Sequence, residues 1–328
     1  MYQALYRKWR PRTFDDVVGQ DHITETLKRQ VASGRLSHAY LFTGTRGTGK
    51  TTCAKILSRA VNCQNPVDGN PCNQCPACLG IENGSILDVL ELDAASNNGV
   101  DQVRALRDEA VYTPAAVRKR VYIVDEVHML STPAFNALLK ILEEPPEHLM
   151  FILATTELHK VPATIKSRCQ QFSFKRILPG QIAQRLGYVA GQEGIDLTGE
   201  GAALLARLAD GGMRDALSLL DQCAGAGQRV DEQEILDTLG LAGNLETAKL
   251  MGLIAATTPP EPWRPWGGCT GTARTCPRCW RSCPPWPGTC CCGRPPPRAG
   301  PPSSPAAMTG TPCAAWGSSS PPPACFRS

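Results

Sequence analysis

The segment at residues 39–52, AYLFTGTRGTGKTT, combines an apolar run, a glycine-rich turn and a lysine followed by two threonines. It fits G-x-x-x-x-G-K-[ST], in which the glycines let the backbone curl so that successive N–H groups point at phosphate oxygens. The helix that follows adds the positive end of its dipole. We expect Lys50 to reach the β- and γ-phosphates of a nucleotide and Thr51 to bind Mg²⁺ through its hydroxyl. The predicted nucleotide contacts in this loop are Gly44, Thr45, Arg46, Gly47, Thr48, Gly49, Lys50, Thr51 and Thr52.

A second group of candidate residues is the acidic pair that ends the apolar run 121–124. An acidic pair after a strand is common, and taken alone it indicates only a solvated strand end. Together with the phosphate loop it predicts nucleoside triphosphate hydrolysis. Asp125 is expected to hold Mg²⁺ with Thr51, and Glu126 to orient and deprotonate the attacking water. His128 is interpreted as a surface or supporting residue and is assigned no role.

Four cysteines, spaced C-x8-C-x2-C-x2-C, form a third candidate site. Four thiolates without a histidine describe a closed tetrahedral centre, the structural kind for Zn²⁺, and an iron–sulfur cluster with similar ligands is the alternative. In a reducing compartment, clustered cysteines indicate metal ligands rather than disulfides. The predicted ligands, which lie in an insertion at residues 63–80, are Cys63, Cys72, Cys75 and Cys78.

Apolar runs that alternate with helical patterns place these groups on a common scaffold. The runs that read as strands are residues 40–42, 88–92, 121–124, 149–154 and 171–174. This alternation predicts an α/β domain over residues 1–176, with a parallel sheet covered on both faces. Residues 177–242 show only helical periodicity and are predicted to form a second, all-α domain.

The order of the motifs points to a family. Along the chain they are GTRGTGKT, the CxxCxxC insertion, VDEVHML, LLKILEEPP, ATTE, SRCQQF and GGMRDALSLLDQ. Over residues 1–255 the chain resembles the bacterial DNA polymerase III gamma/tau subunits, the motor subunits of the sliding-clamp loader in the AAA+ superfamily. The resemblance implies a P-loop AAA+ domain with a five-stranded parallel sheet, followed by a small all-α lid domain.

The resemblance also implies roles for residues outside the two motifs described first. Thr155 is expected to act as the first sensor, a hydroxyl that detects the γ-phosphate. Arg168 is expected to be an arginine finger that enters a neighbouring subunit's nucleotide site, and Arg214 the second sensor at the start of a lid helix. Val17 and Val18 fall where the family packs the adenine ring, although two adjacent valines are more often core residues.

By the same resemblance, the chain is expected to be an ATPase that uses ATP, Mg²⁺ and Zn²⁺ and loads the sliding clamp onto primed DNA. Its expected partners are other clamp-loader subunits, the clamp and the DNA polymerase III core, in a hetero-oligomeric ring. No polymerase carboxylate set is visible in the sequence, so that chemistry belongs to the holoenzyme. The alternatives are another AAA+ DNA motor, of Holliday-junction or initiation type, and a non-hydrolysing scaffold that tethers polymerase to clamp loader.

Composition divides the chain at about residue 258. Residues 259–328 hold 18 of the 28 prolines and 9 of the 16 cysteines, but no Val, Ile, Leu or Lys. Such a segment cannot bury aliphatic surface against the cost of ordering its backbone, so this tail is expected to be disordered. Its residue types indicate an out-of-frame reading of GC-rich DNA, which arises either from a programmed slip or from a sequence error. Residues 243–258 are expected to begin a collar domain that the tail truncates, and the chain is therefore expected to assemble poorly.

Charge and hydropathy bear on partners and compartment. Residues 1–258 carry a net charge of −2 and the tail +6, so the overall +4 does not indicate a basic nucleic-acid surface on the folded part. No apolar run approaches the length of a membrane span, and the first residues lack a signal-peptide core. The chain is expected in the cytoplasm, without a membrane partner.

Overall fold

The computed structural model describes residues 2–225, 229–241 and 251–252. Its central feature is a five-stranded sheet formed by β1 (Ala39–Thr43), β2 (Val89–Asp93), β3 (Arg120–Asp125), β4 (Leu149–Thr155) and β5 (Gln170–Ser173). All neighbouring strands are parallel, and their order is β2-β3-β4-β1-β5. The predicted parallel sheet is confirmed, and each strand begins and ends within one residue of its predicted run.

Helices precede, connect and follow the strands of this sheet. They are α1 (Leu5–Lys8), α2 (Asp21–Ser33), α3 (Lys50–Asn62), α4 (Pro76–Glu82), α5 (Val100–Ala110), α6 (Thr132–Glu143) and α7 (Ala163–Lys166). The sequence sets the ends of α6 clearly. Ser131 caps its start by accepting the N–H of Ala134 at 3.4 Å, with a proline in the first turn. The helix ends before Pro145 and Pro146, which cannot continue it.

Two apolar layers hold the sheet in place. One layer packs α2 and α3 against one face through residues such as Leu27 and Ile56, and the other packs α5 and α6 against the opposite face through Leu106 and Leu138. Strand β4 is buried along its whole length. Burial on both faces explains why the strands read as continuous apolar runs without alternation.

The helical lid, residues 177–241, follows the sheet domain. Its helices are α8 (Pro179–Glu193), α9 (Gly199–Leu208), α10 (Met213–Ala224) and α11 (Glu232–Leu239). The structure adds a two-residue parallel pairing of β6 (Asp196–Leu197) with β7 (Arg229–Val230), which is too short to leave an alternation pattern in the sequence. Leu5 of α1 is buried in the lid core with Leu186, Leu205 and Leu220, so the start of the chain packs on the lid.

Three expectations concern segment boundaries and membranes. The predicted domain boundary after residue 176 falls between β5 and α8. The predicted collar segment and tail, residues 243–258 and 259–328, lie outside the described residues except for 251 and 252. None of the described helices is both long enough and apolar enough to cross a membrane.

The buried strand β4 generates a stability prediction. Leu153 is 0% exposed, and Leu153→Ala should lower the free energy of unfolding by about 2–5 kcal/mol because it leaves a cavity between two packed layers. Leu87, which is 87% exposed in the loop before β2, provides the control, and Leu87→Ala should change stability by less than about 0.5 kcal/mol. Urea unfolding followed by circular dichroism measures both. Equal shifts of the two midpoints would contradict the placement of Leu153.

Candidate nucleotide site and metal centre

The phosphate loop, residues 44–49, connects β1 to α3 in a conformation that needs glycine. Gly44 and Gly47 have φ angles of 144° and 79°, which side chains disfavour. A Cβ on Gly44 would lie 2.5 Å from the carbonyl oxygen of Phe174, and a Cβ on Gly47 would lie 3.0 Å from Cα of Gly212. The loop ends at the N-terminus of α3, so its curled backbone and the helix dipole both favour an anion at this position.

Lys50, the first residue of α3, is buried against the phosphate loop. Its Nζ donates to the carbonyl oxygens of Gly44 and Thr45, both at 2.9 Å. Burial lowers the pKa of Lys50, and the carboxylates of Glu126 and Asp125 oppose that shift. An ammonium group has three N–H donors, so one remains for a phosphate oxygen. The position of this cation therefore fits nucleotide phosphates.

Thr51 and Asp125 converge although 74 residues separate them in the sequence. The Thr51 hydroxyl donates to Oδ2 of Asp125 at 2.7 Å. The other carboxylate oxygen, Oδ1, accepts the N–H of Glu126 at 2.9 Å. Hydroxyl and carboxylate oxygens are the ligand types that Mg²⁺ uses beside phosphates. The structure thus brings the two predicted Mg²⁺ ligands together, and their chemistry fits the ion.

Glu126 follows β3 in a left-handed backbone conformation, with φ 47° and ψ 45°. Residues other than glycine adopt this conformation at some cost, and such residues cluster at functional sites. Its Oε2 accepts hydrogen bonds from Thr156, from the backbone N–H at 3.2 Å and from the hydroxyl at 2.9 Å. The carboxylate is therefore held at the carboxyl end of β4. Thr156 lies in the ATTE motif, but no role was predicted for it.

Thr155 is fully buried at the end of β4, opposite Thr43 in the parallel register. His128 Nδ1 lies 3.0 Å from Oγ1 of Thr155 and 3.3 Å from Oε2 of Glu126. Only 6% of the His128 side chain is exposed, so of its two interpretations the surface residue is wrong and the supporting residue fits. The one sequence signal for His128 is its place in the turn after the acidic pair.

The lid contacts the phosphate loop at the start of α10. The N–H of Met213 donates to the carbonyl oxygen of Gly47 at 3.0 Å. The next residue, Arg214, places its guanidinium 4.9 Å from the centroid of the Tyr6 ring, within range of a cation–π interaction. The structure therefore brings the predicted second sensor close to the loop through its helix.

Arg10 is a further residue near the loop that the sequence analysis missed. Its Nε donates to Oγ1 of Thr52 at 3.2 Å. Thr52 is one of the predicted nucleotide contacts, whereas Arg10 is not. Burial lowers the pKa of Arg10, the Glu91 carboxylate opposes this, and the Arg214 charge adds to it. In the sequence Arg10 is one of several basic residues in RKWRPR, and nothing distinguishes it from its neighbours.

The remaining predicted residues divide into two groups. Val17 is buried beside the loop, where its Cγ1 would lie 3.9 Å from a Cβ on Gly49, and Val18 packs against the lid core. Arg168 instead pairs with Glu143 at 2.7 Å and donates to the Thr164 carbonyl oxygen at 2.8 Å. Its side chain is 34% exposed. Arg168 therefore contacts α6 and α7 rather than the phosphate loop of its own chain.

The four predicted cysteine ligands form a separate cluster between α3 and α4. The sulfur atoms of Cys63, Cys72, Cys75 and Cys78 all lie within 4.8 Å of one another. A Zn²⁺ ion with four Zn–S bonds of about 2.3 Å needs sulfur atoms about 3.8 Å apart, so the cluster fits a tetrahedral site. Backbone N–H groups of Cys72, Cys75 and Cys78 donate to sulfur atoms at 3.3, 3.3 and 3.4 Å.

These hydrogen bonds affect the thiols in different ways. Burial raises the pKa of Cys75. Hydrogen bonds from the N–H groups of Gln64 and Cys78 and from the neighbouring thiols outweigh burial and lower the pKa of Cys75 to about 6. Burial raises the pKa of Cys78. A thiol that ionises readily within a cluster of four is suited to begin metal binding, because metals bind the thiolate form.

Two family models match the chain. The one described as "DNA polymerase III, delta subunit" matches residues 19–177, and the one described as "DNA polymerase III clamp loader subunit, ATPase lid domain" matches residues 181–229. Among solved structures, the RuvB Holliday junction branch migration motor of Thermotoga maritima is similar with a TM-score of 0.53 and 16% identity. That similarity covers 76% of this chain and 80% of RuvB. It confirms the predicted AAA+ fold.

Curated relatives are more similar in sequence. DNA polymerase III subunit tau of Bacillus subtilis is 56% identical over 251 residues, which are 76% of this chain and 44% of the relative. The tau subunit of Escherichia coli is 47% identical over 78% of this chain and 39% of the relative, so this chain spans less than half of either protein. DNA polymerase III subunit gamma of Buchnera aphidicola is 46% identical over 73% of this chain and 67% of the relative. The chain therefore belongs to the DNA polymerase III gamma/tau family.

Proposed function

We propose that the chain is an ATP-hydrolysing subunit of a sliding-clamp loader, which places the clamp on primed DNA for DNA polymerase III. The observation that carries this proposal is the 2.7 Å hydrogen bond between Thr51 and Asp125. It joins the phosphate loop to the acidic pair, in a chain of the gamma/tau family. The matching lid model supports the clamp-loader assignment in particular. The similarity to RuvB concerns the fold alone and does not favour a Holliday-junction motor.

The nucleotide is proposed to bind along the phosphate loop, with its adenine ring against Val17 and Val18. Lys50 and the loop N–H groups hold the phosphates, and Thr51 and Asp125 hold Mg²⁺. Bound Mg²⁺ supplies positive charge where negative charge develops on the phosphates. Glu126 accepts the proton of the attacking water, a role for which its two bonds from Thr156 fix the carboxylate.

The partners are proposed from the family rather than from contacts within this chain. They are other clamp-loader subunits in a hetero-oligomeric ring, the sliding clamp, primed DNA and the DNA polymerase III core. The chain is proposed to supply motor function to that assembly, and its sequence shows no polymerase carboxylate set. Its replication role places it in the bacterial cytoplasm. In the ring, Arg168 is proposed to contact the nucleotide of the neighbouring subunit. Arg214, at the start of a lid helix, is proposed to contact the nucleotide of its own chain.

The proposed phosphate site generates the first functional prediction. Lys50→Ala should abolish ATP binding, because it removes the cation at the loop, whereas Glu126→Gln should bind ATP and lose turnover. Lys55→Ala is the matched control, since Lys55 lies on the same helix and pairs with Glu91. Calorimetry measures affinity and phosphate release measures turnover. Wild-type ATP affinity in Lys50→Ala would exclude the proposed site.

The position of Arg168 generates a prediction about neighbouring subunits. Arg168→Ala should retain ATP binding and lose hydrolysis, since fingers supplied by a neighbour contribute about 10³- to 10⁵-fold in GTPases. Lys166→Ala, a cation on the adjacent helix, should remain active. In rings assembled with the other clamp-loader subunits, mixing Arg168→Ala with Lys50→Ala chains should restore turnover, because each chain supplies what the other lacks. A mixture no more active than its two components would contradict action between subunits.

We propose that the cysteine cluster holds one structural Zn²⁺ remote from the nucleotide. Metal analysis of the reduced wild-type chain should give one zinc per chain, and Cys72→Ser should give far less. Cys223→Ser is the control, because Cys223 is buried in the lid core outside the cluster. Chelation should loosen the insertion and leave most ATP affinity intact. Recovery of iron, or of no metal, would count against the assignment.

A further inference from the structure

The buried Thr155 hydroxyl is held by two neighbours. The N–H of Glu157 donates to Oγ1 of Thr155 at 3.0 Å, and Nδ1 of His128 lies 3.0 Å from the same oxygen. A hydroxyl group accepts two hydrogen bonds and donates one. If Nδ1 carries a hydrogen, both acceptor positions of Thr155 are filled, and its O–H must find an acceptor elsewhere.

The Glu126 carboxylate favours the His128 tautomer that carries a hydrogen on Nδ1. Oε2 of Glu126 lies 3.3 Å from Nδ1, and an ionised carboxylate oxygen can only accept. An unprotonated Nδ1 would point its lone pair at that oxygen, and the two would repel each other. On the other side of the ring, Nε2 lies 3.5 Å from Oε1 of Glu157, whose carboxylate also pairs with Lys160 and with His159. A hydrogen on Nδ1 lies within reach of both the Glu126 oxygen and the Thr155 hydroxyl.

The backbone register places Thr155 at the edge of the sheet where the phosphates are proposed to bind. Thr155 is paired in register with Thr43, the residue before the phosphate loop, and Glu126 lies on its other side. In the described part of the chain, no other side chain or carbonyl oxygen accepts a hydrogen bond from this hydroxyl. A buried O–H without an acceptor is costly, so the arrangement favours an acceptor supplied by a bound ligand.

We propose that His128 is a positioning residue that donates its Nδ1–H to Thr155 and thereby directs the Thr155 O–H at a γ-phosphate oxygen. The inference rests on the proposed function, because it needs ATP in the phosphate loop. It makes the preference for a nucleoside triphosphate over a diphosphate depend on a side chain that does not touch the nucleotide. Without His128, the Thr155 O–H is free to rotate away.

Nucleotide affinities of the full chain test this without relying on turnover. Calorimetry with Mg²⁺ and either ADP or the slowly hydrolysed analogue ATPγS should show that His128→Ala weakens ATPγS binding about 10- to 150-fold, the value of one hydrogen bond to a charged group. ADP affinity should not change. Asparagine places an amide N–H where Nδ1 lies, so His128→Asn should keep the wild-type preference, whereas glutamine reaches the Nε2 position and should behave like alanine.

Two controls separate positioning from general damage. His159→Ala removes an exposed histidine that also contacts Glu157 but not Thr155, and it should leave both affinities unchanged. Thr155→Val should lose the same preference as His128→Ala, and the double variant should lose no more than either single one. If His128→Ala fails to fold, the comparison of His128→Asn with His128→Gln decides.

The outcomes distinguish this inference from the proposed function. A wild-type chain that binds neither nucleotide would overturn the proposed function itself. A wild-type chain that prefers ATPγS, with His128→Ala retaining that preference, would overturn only the role of His128. Additive losses in the double variant, or a His128→Asn variant as weak as His128→Gln, would do the same.

Discussion

The parallel sheet makes three strands end at one level, and the candidate site depends on that constraint. In the register, Thr43 of β1 lies opposite Thr155 of β4, while Val124 of β3 lies opposite Leu153. Whatever follows the carboxyl end of each strand must therefore meet at one edge of the sheet. The phosphate loop follows β1, the acidic pair follows β3, and the Thr155 hydroxyl terminates β4. Segments that are distant in sequence become neighbours because their strands run in one direction.

Burying charged groups at this edge of the sheet costs free energy, and attraction between opposite charges offsets part of that cost. Burial disfavours the ammonium of Lys50, as the lowering of its pKa shows, and the carboxylates of Glu126 and Asp125 compensate in part. Each carboxylate is in turn hydrogen-bonded, Asp125 to Thr51 and Glu126 to Thr156. Hydrogen bonds to charged groups of this kind contribute about 1.5–3 kcal/mol each. The buried β4 supplies the rigid backbone on which they are arranged.

The sequence predicted the sheet and most of the residues at its edge, and the reasons are local. A phosphate loop needs glycines at fixed spacing, and a strand buried on both faces reads as an apolar run, so both leave patterns that one sequence reveals. The strand order β2-β3-β4-β1-β5 leaves no such pattern, since it depends on how crossovers pack. The roles of His128 and Arg10 were not predicted from the sequence for the same reason. Each acquires its role from a neighbour far away in sequence, Thr155 and Thr52 respectively.

The contact between the phosphate loop and the lid connects the proposed nucleotide site to a second group of helices. The carbonyl oxygen of Gly47 accepts the N–H of Met213, and the Cα of Gly212 lies so close that a Cβ on Gly47 would approach it to 3.0 Å. Two glycines facing each other permit this approach, and a side chain at either position would separate the loop from α10. The loop backbone and the start of α10 therefore pack directly against each other.

That helix carries the link further into the molecule. Arg214 lies one residue after Met213 and contacts Tyr6, which packs with α1 against the lid core. Arg10, two residues after the end of α1, contacts α3 through its hydrogen bond with Thr52. The start of the chain thus bridges the lid and the first turn of α3. Because both ends of this bridge adjoin the phosphate loop, the lid contacts the proposed nucleotide site by two separate routes, through Gly47 and through Thr52.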